Sequence, residues 1–484
     1  MFVPSSVVKY CGLLLSLVWT LSLSAQDGQV FAERDNIGTA RYVGMAGAMT
    51  AVGADPSAVL DNPAGLGLYR RFELLATFSE NMDFVAQSGQ ETYKRYRFTV
   101  PQLSAVFAFG APERSRGLVY SNLMFSYQRI KNFHRSSFSS LSEQAYSLSD
   151  LVANKTQGLS FAALCADGRW DDENIGWLSC LGFDAFLIDT TAQGATSWTS
   201  TLKIGEQVKY AAAVDESGSM DEYSLVWGGN VSNRWYFGIG MGLRTLSYSK
   251  ATRYEERSQS GSSVTLNTYL SQSALGVNGS FGVIYHPIRN LRLGLSFITP
   301  TSLAMTTKTN ADILSANYAV DVEGNKTHGQ QTPSISLNYR LINPLRTTVG
   351  AAAIFDRGLV SVEYDYAHQR DIDDIHTLKI GGEVVLHPVL FLNVGYAYES
   401  TFQRTDYRCI LPETSVRTDL DFRNVKGTHF VGVAFGYRGH YATTQLGYQY
   451  RFQRQHFYAH ECQTEPADMT AQTHRIVLTV AWHN

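Results

Sequence analysis

"LFLNVGYAY", residues 390–398, places Leu390, Leu392, Val394, Tyr396 and Tyr398 on one face of a strand and Phe391, Asn393, Gly395 and Ala397 on the other. Three further stretches repeat the pattern. In "LVSVEYDY" Val360, Val362, Tyr364 and Tyr366 oppose Ser361, Glu363 and Asp365, and in "TLKIGGEVVL" Leu378, Ile380, Val384 and Leu386 oppose Thr377, Lys379, Gly381 and Glu383. In "ATTQLGYQYRF" Leu446, Tyr448, Tyr450 and Phe452 oppose Gln445, Gly447, Gln449 and Arg451. A soluble sandwich also alternates, but its polar side meets water and is rich in Lys, Glu and Thr. Here the second face mixes glycines with isolated charges, as a crowded polar lumen requires. Tyr and Phe gather towards the strand ends of the apolar face, where lipid headgroups would lie.

The pattern predicts an all-β, antiparallel transmembrane barrel with strands near 72–81, 95–110, 115–131, 219–231, 235–250, 272–286, 290–304, 334–355, 359–368, 376–386, 389–400, 428–438, 441–453 and 474–483. These are fourteen, the even number a bacterial single-chain barrel needs. The count holds with 334–355 as one strand running through Pro344, since proline is tolerated at a bulge or a poorly paired end. Tight connections such as "VSNR", "FDRG" and "RGH" alternate with long ones near 82–94, 132–218, 251–271, 305–333, 369–375, 401–427 and 454–473. The long ones are expected outside the cell. The last strand, "HRIVLTVAWHN", turns Ile476, Leu478, Val480 and Trp482 towards lipid.

Outside the strands, Lys9 followed by the apolar run Cys11–Leu23 and the small residues around Ala25 predicts a signal peptide over 1–25. That run is too short for a membrane anchor, and no later segment is apolar enough for a spanning helix. The chain is therefore expected in the outer membrane of a Gram-negative bacterium. Abundant Tyr (27), Phe (25) and Gly (40) with sparse Pro (12) disfavour disorder, and a net charge of -3 without a basic tract argues against nucleic acid as a partner. Export leaves Cys165, Cys180, Cys409 and Cys462 in an oxidising compartment, where disulfides are expected over metal ligation. Of the three possible pairings, Cys165 with Cys180 and Cys409 with Cys462 follow from shared or adjacent loops.

Residues 26–71, ahead of the barrel proper at 72–484, have only the periplasm or the lumen to occupy. Their Ala- and Gly-rich stretch "ARYVGMAGAMTAVGADPSAVLDNPAGLGLYRRF" suits short helical pieces and turns, so the segment reads as a plug. At Ala40, Arg41, Gly44, Met45, Gly47, Ala48, Asp55 and Ala58, then at Asn62, Pro63, Ala64, Gly65 and Leu66, it resembles the long-chain fatty-acid transporter (FadL/TodX) family of outer-membrane barrels. Segments such as "GLVSVEYDYA" and "NRWYFGIGMGLRTLSY" extend the resemblance to that family's Bacteroidetes-type branch.

The resemblance implies fourteen strands, an N-terminal hatch bearing Asn-Pro-Ala, and passive uptake of hydrophobic compounds such as long-chain fatty acids. Surrounding lipid and an apolar small molecule are then the partners. It also implies an exit through the wall at an inward distortion of the third strand. "LVYSNLMFSYQRI" contains no Gly or Pro to mark a kink, so that exit is not carried over. The alternative is a barrel that holds a protein partner on its outer loops for secretion or surface attachment, or one that binds haem through an exposed His or Tyr such as His456 or His460. A continuous apolar groove favours transport, and a lumen sealed by charge pairs favours the scaffold.

Arg244, Arg292, Glu363, Asp365, Lys379, Glu383, Arg438 and Arg451 are expected in the lumen, pairing among themselves or tying the plug to the wall. The long 132–218 loop carries enough Leu, Phe and Trp to hold a ligand or a small core of its own. "RDIDDIH", with Asp371, Asp373, Asp374 and His376, reads as a solvated acidic loop, and "GIGMG" (238–242) as strand glycines facing the lumen or hatch. There is no G-x-S-x-G, no H-E-x-x-H and no Cys/His metal set, so no enzyme and no cofactor is predicted.

Overall fold

The computed structural model describes residues 28, 30–88, 92–110, 116–190, 195–369, 372–401, 412 and 414–484. The expected signal peptide and Cys409 lie outside the described residues. The chain forms a closed antiparallel barrel of fourteen strands. They are β1 (Glu73–Gln87), β2 (Thr92–Gly110), β3 (Leu118–Asn132, continued as Arg135–Gln144), β4 (Val208–Val231), β5 (Trp235–Ser258), β6 (Ser263–Ile288) and β7 (Leu291–Ile298, continued as Thr301–Ala316). The second half comprises β8 (Ile335–Asn343, continued as Leu345–Phe355), β9 (Gly358–Gln369), β10 (Ile372–His387), β11 (Leu390–Thr401), β12 (Phe422–Arg438), β13 (Ala442–Tyr458) and β14 (Ala467–His483). Closure is made between β1 and β14, in register from Glu73↔His483 to Gln87↔Met469.

Strand parity follows the sequence pattern. Ile239, Met241 and Leu243 of β5 and Val431, Val433 and Phe435 of β12 are exposed towards lipid, while Phe430 and Ala434 are buried. Strands are longer than the apolar alternation predicts: β5 and β6 have 24 and 26 residues, against about 10 needed to cross a bilayer. Beyond the lipid the outward face no longer has to be apolar, as "ATRYEERS" (251–258) illustrates, so the pattern stops while the ladder continues. Pro344 does sit in a break within β8. The register on either side, Ile298↔Arg346 and Thr301↔Asn343, places it opposite Pro300 of β7, so two residues without N–H groups share one interruption.

The N-terminal segment lies against the inner wall. Its pieces are α1 (Ala40–Gly44), α2 (Pro56–Asp61) and a 3₁₀ turn over Pro63–Leu68. Thr39 and Asp55 cap the two helices, and the Thr39 hydroxyl donates to Asp55 over 2.6 Å, joining the caps. Wall residues from distant strands bond the segment's backbone: Asn122 of β3 donates to the Leu66 and Tyr69 carbonyls, Arg292 of β7 donates to Val52, and Thr479 of β14 accepts from the Ala40 amide.

At the long-loop end, α3 (Leu148–Thr156), α4 (Phe161–Cys165) and α5 (Trp177–Asp184) form a cap over the barrel mouth. Leu148, Leu151, Leu164, Leu178 and Leu181 pack there with Tyr210, Tyr254 and Phe457 of the strand tops. The apolar residues of this loop therefore build a core of their own. β3 and β4 extend to Gln144 and from Val208, which shortens the loop expected at 132–218. The expected Cys165–Cys180 disulfide is absent: Cys180 is enclosed in the cap core on α5, and Cys165 is exposed at the end of α4, with both thiols free. Cys462 is also a free thiol.

Two buried titratable groups at this level, above the membrane-spanning band, oppose one another. Burial pushes the Glu256 carboxyl up to about 7, against the pull of hydrogen bonds from Tyr254 and the Leu148 amide. Burial pushes His460, whose ring lies 6.0 Å from Tyr254, down to about 4. A raised carboxyl contributes stability that is lost as pH rises from 4.5 to about 7, whereas a depressed histidine contributes stability that is lost as pH falls from 6.5 to about 4. In the wild type the two slopes largely cancel. Glu256→Gln is expected to expose the histidine slope, so that the cap loses up to about 3 kcal/mol between pH 7 and pH 4. Trp177 and Trp198 fluorescence against denaturant at several pH values measures this, and parallel profiles for wild type and variant would refute it.

Candidate functional site

Asn62 fixes the turn at the centre of the N-terminal segment. Its amide donates to the Thr50 carbonyl over 2.8 Å, and its carbonyl oxygen accepts from the Ala64 amide over 3.1 Å. Pro63 and Ala64 press against Gly238 of β5, and Asn62 against Gly282 of β6, where any Cβ would overlap them. The "GIGMG" stretch thus supplies a wall surface that the Asn-Pro-Ala backbone can touch. Gly65 meets the Gly53 backbone in the same way within the segment.

Around this turn the lumen is filled by buried ion pairs. Lys379 meets Glu363 at 2.7 Å, and Glu363 also accepts from the Thr50 amide; Arg41 of α1 meets Glu383 at 2.7 Å. Arg346 pairs with Asp365 at 2.8 Å, Arg244 with Glu222 at 2.8 Å and Arg451 with Asp35 at 3.4 Å. Seven of the eight expected lumen residues stand there. Arg438 does not: it is exposed at the short-turn end, its guanidinium over the Phe391 ring at 5.3 Å. Asp35, Glu222 and Arg346 are partners the sequence reading did not select, and Arg41 was named there only for the family resemblance; Arg292 is held by the Val52 carbonyl rather than by a carboxylate. Above this layer a cavity of about 160 Å³ lies between Phe31, Phe133, Tyr248 and Phe422, bordered by the paired charges of Lys131, Glu216, Lys250 and Asp421.

The wall itself is open at one seam. Pairing of β2 with β3 runs from Gly110↔Tyr120 only as far as Gln102↔Gln128; the next residue of β2 is Pro101, which has no N–H to offer. Past that point β2 stays with β1, and β3 shifts register against β4 at Arg129/Lys131 and breaks at 133–134. Side chains bridge the gap in place of a ladder. Arg97 lies 2.7 Å from His134 Nδ1, Arg95 donates to Ser136 Oγ over 3.1 Å, and Tyr93 stacks on Phe138 at 5.9 Å. Gln87 of β1 bonds both backbone groups of Ser140, so the upper part of β3 faces β1 past β2. The distortion is marked by a proline in the neighbouring strand, the signal that reading β3 alone missed. Below the seam, an apolar hollow of about 1080 Å³ opens on the outer face between Leu74, Phe78, Leu103, Phe125, Leu225 and Trp482.

Asp371 of the acidic loop lies outside the described residues. Asp374 is held by Tyr366 and His368, and His376 by Tyr364. Among the described residues no three His, Cys, Asp or Glu side chains stand together as a metal site. His460 is buried in the cap and His456 stands beside Asp468.

No protein-family model and no curated protein sequence matches the chain. Solved structures do. A FadL homologue from Pseudomonas aeruginosa superposes with a TM-score of 0.52 at 10% identity, over 92% of this chain and 98% of that one. The deltaS2S3 mutant of TodX, a monoaromatic hydrocarbon channel, superposes with a TM-score of 0.50 at 13% identity, over 93% of this chain and 100% of that one. The fold is that of FadL- and TodX-type outer-membrane barrels, as the sequence resemblance implied.

Proposed function

We propose that this barrel passes small hydrophobic molecules, long-chain fatty acids among them, passively across the outer membrane, with residues 26–71 acting as a hatch. The observation that carries the reading is the interrupted β2–β3 ladder with an apolar hollow on the lipid side beneath it. An apolar solute gains free energy by moving from water into such a surface, and it need not cross the charged centre of the lumen to reach it. The likeness to a hydrocarbon channel and to a FadL homologue agrees with the reading. Proteoliposomes holding the purified barrel are expected to take up a labelled long-chain fatty acid, at a rate altered by Asn62→Ala, which removes the side chain holding the turn. No entry for any of a panel of apolar compounds would overturn the proposal. One observation favours the alternative, a barrel holding a protein partner: the lumen around the Asn-Pro-Ala turn is closed by matched ion pairs. Failure of the whole uptake panel would favour that reading.

A further inference from the structure

The chamber of about 160 Å³ above the ion-pair layer joins an apolar end to a charged one. Its apolar end is built of rings. Phe31 of the N-terminal segment, Phe133 between the two parts of β3 and Tyr248 of β5 meet pairwise edge to face, with centroids 5.6, 5.5 and 5.1 Å apart. Leu270 of β6 packs with them. A cavity of about 150 Å³ lined by aliphatic and phenyl groups accommodates one benzene ring. The chamber therefore suits a single ring and is too small for a long acyl chain, and rings set edge to face around it favour an aromatic occupant over an aliphatic one.

The charged end begins one phenol away. The Tyr248 hydroxyl donates to Glu216 of β4 over 2.8 Å, and two guanidinium groups share that carboxylate, Arg135 of β3 at 3.1 Å and Arg423 of β12 at 2.6 Å. Around the rest of the lining the charges balance among the described residues. Lys131 faces Glu33, and Lys250 and Arg417 face Asp419 and Asp421. Arg451 and Arg475 stand with Asp35 and Asp83. Glu216 is thus the point where two cations meet one carboxylate. Arg135 shows the surplus atom by atom: its Nε donates to Glu216 and its Nη1 to Gln455 over 3.2 Å, whereas its Nη2 is enclosed and has no acceptor among the described residues. Leaving an enclosed donor unpaired is costly. A carboxylate is the group whose two oxygens match the guanidinium fork, and its charge offsets the surplus.

We infer that this chamber binds a small aromatic carboxylate, its ring beside Phe31, Phe133 and Tyr248 and its carboxylate between Arg135 and Arg423. The site is separate from the hollow on the outer wall, so binding here is measured independently of uptake through the barrel. Equilibrium dialysis of the purified full-length barrel in detergent against labelled benzoate, with benzamide as a neutral ring of the same shape, tests it. Benzoate is expected to bind saturably and about ten-fold tighter than benzamide. Arg135→Gln and Arg423→Gln each leave Glu216 with one guanidinium and the Tyr248 hydroxyl, so neither strands a buried carboxylate. Each is expected to weaken benzoate about ten-fold and to leave benzamide unchanged. Absence of saturable benzoate binding, equal affinity for benzoate and benzamide, or arginine variants that hold benzoate as the wild type does would each overturn the assignment.

Discussion

Gly395→Val is expected to turn a closed barrel into a leaking one. Gly395 of β11 and Gly432 of β12 face α1, and a Cβ at either would overlap the backbone of Val43, Met45 or Ala46. Those neighbours are main-chain atoms with no rotamer to yield, so the wall or the helix must move, at a cost of about 1–3 kcal/mol. The wall is a continuous ladder on both sides of these positions, while α1 is a five-residue helix, so the helix is the part that gives. Once α1 lifts, the Arg41–Glu383 pair is pulled apart and water enters past the N-terminal segment. Planar-bilayer recording should show a steady ion conductance for Gly395→Val, and more for Gly395→Val with Gly432→Val, against a quiet wild type. Gly382→Ala is the control, because its nearest contact of 3.5 Å is ordinary packing. A quiet double variant would mean that residues 26–71 are not what closes the pore.

What was legible in the sequence was set by the lipid. Wherever a strand crosses the bilayer, one face has to be apolar, and "LFLNVGYAY" and its relatives display that requirement residue by residue. Outside the bilayer the requirement lapses, and the upper halves of β5 and β6 went unread although their backbone ladders are unbroken, as did the continuation of β3, which pairs with β4 from Arg135 to Leu141 and shifts register before Gln144. The Asn-Pro-Ala turn was legible from its proline and its glycine context, and Gly238 was read as facing the lumen or hatch, whereas Gly282, which meets Asn62, was not singled out. Pairings were not legible. Cys165 and Cys180 are close in sequence, yet α5 turns one thiol into the cap core and leaves the other at its surface. Arg451 finds Asp35 over a sequence distance that no local pattern spans. The seam is the clearest case: β3 has no helix- or strand-breaking residue, and its departure is governed by Pro101 across the ladder.

The seam also sets the last expected result, which separates transport through the wall from transport through the pore. Ala76 and Ala105 are small, outward residues at the floor of the hollow, in register with Leu103 and with Leu74 and Phe125. Replacing both by Trp fills that floor without touching the lumen, the N-terminal segment or any ion pair. Tryptophan is at home against lipid, so folding is not at risk. If solutes leave through the interrupted β2–β3 ladder, uptake by Ala76→Trp/Ala105→Trp should fall about ten-fold, a rise in barrier of about 1.4 kcal/mol, while ion conductance stays that of the wild type. Ala351→Trp on the outward face of β8 carries the same bulk at a distance from the seam and should transport normally. Full uptake by the filled barrel would place the path along the lumen instead. The solute would then have to pass the paired charges of Glu363, Lys379 and Asp365, and breaking those pairs, rather than filling the hollow, would govern the rate.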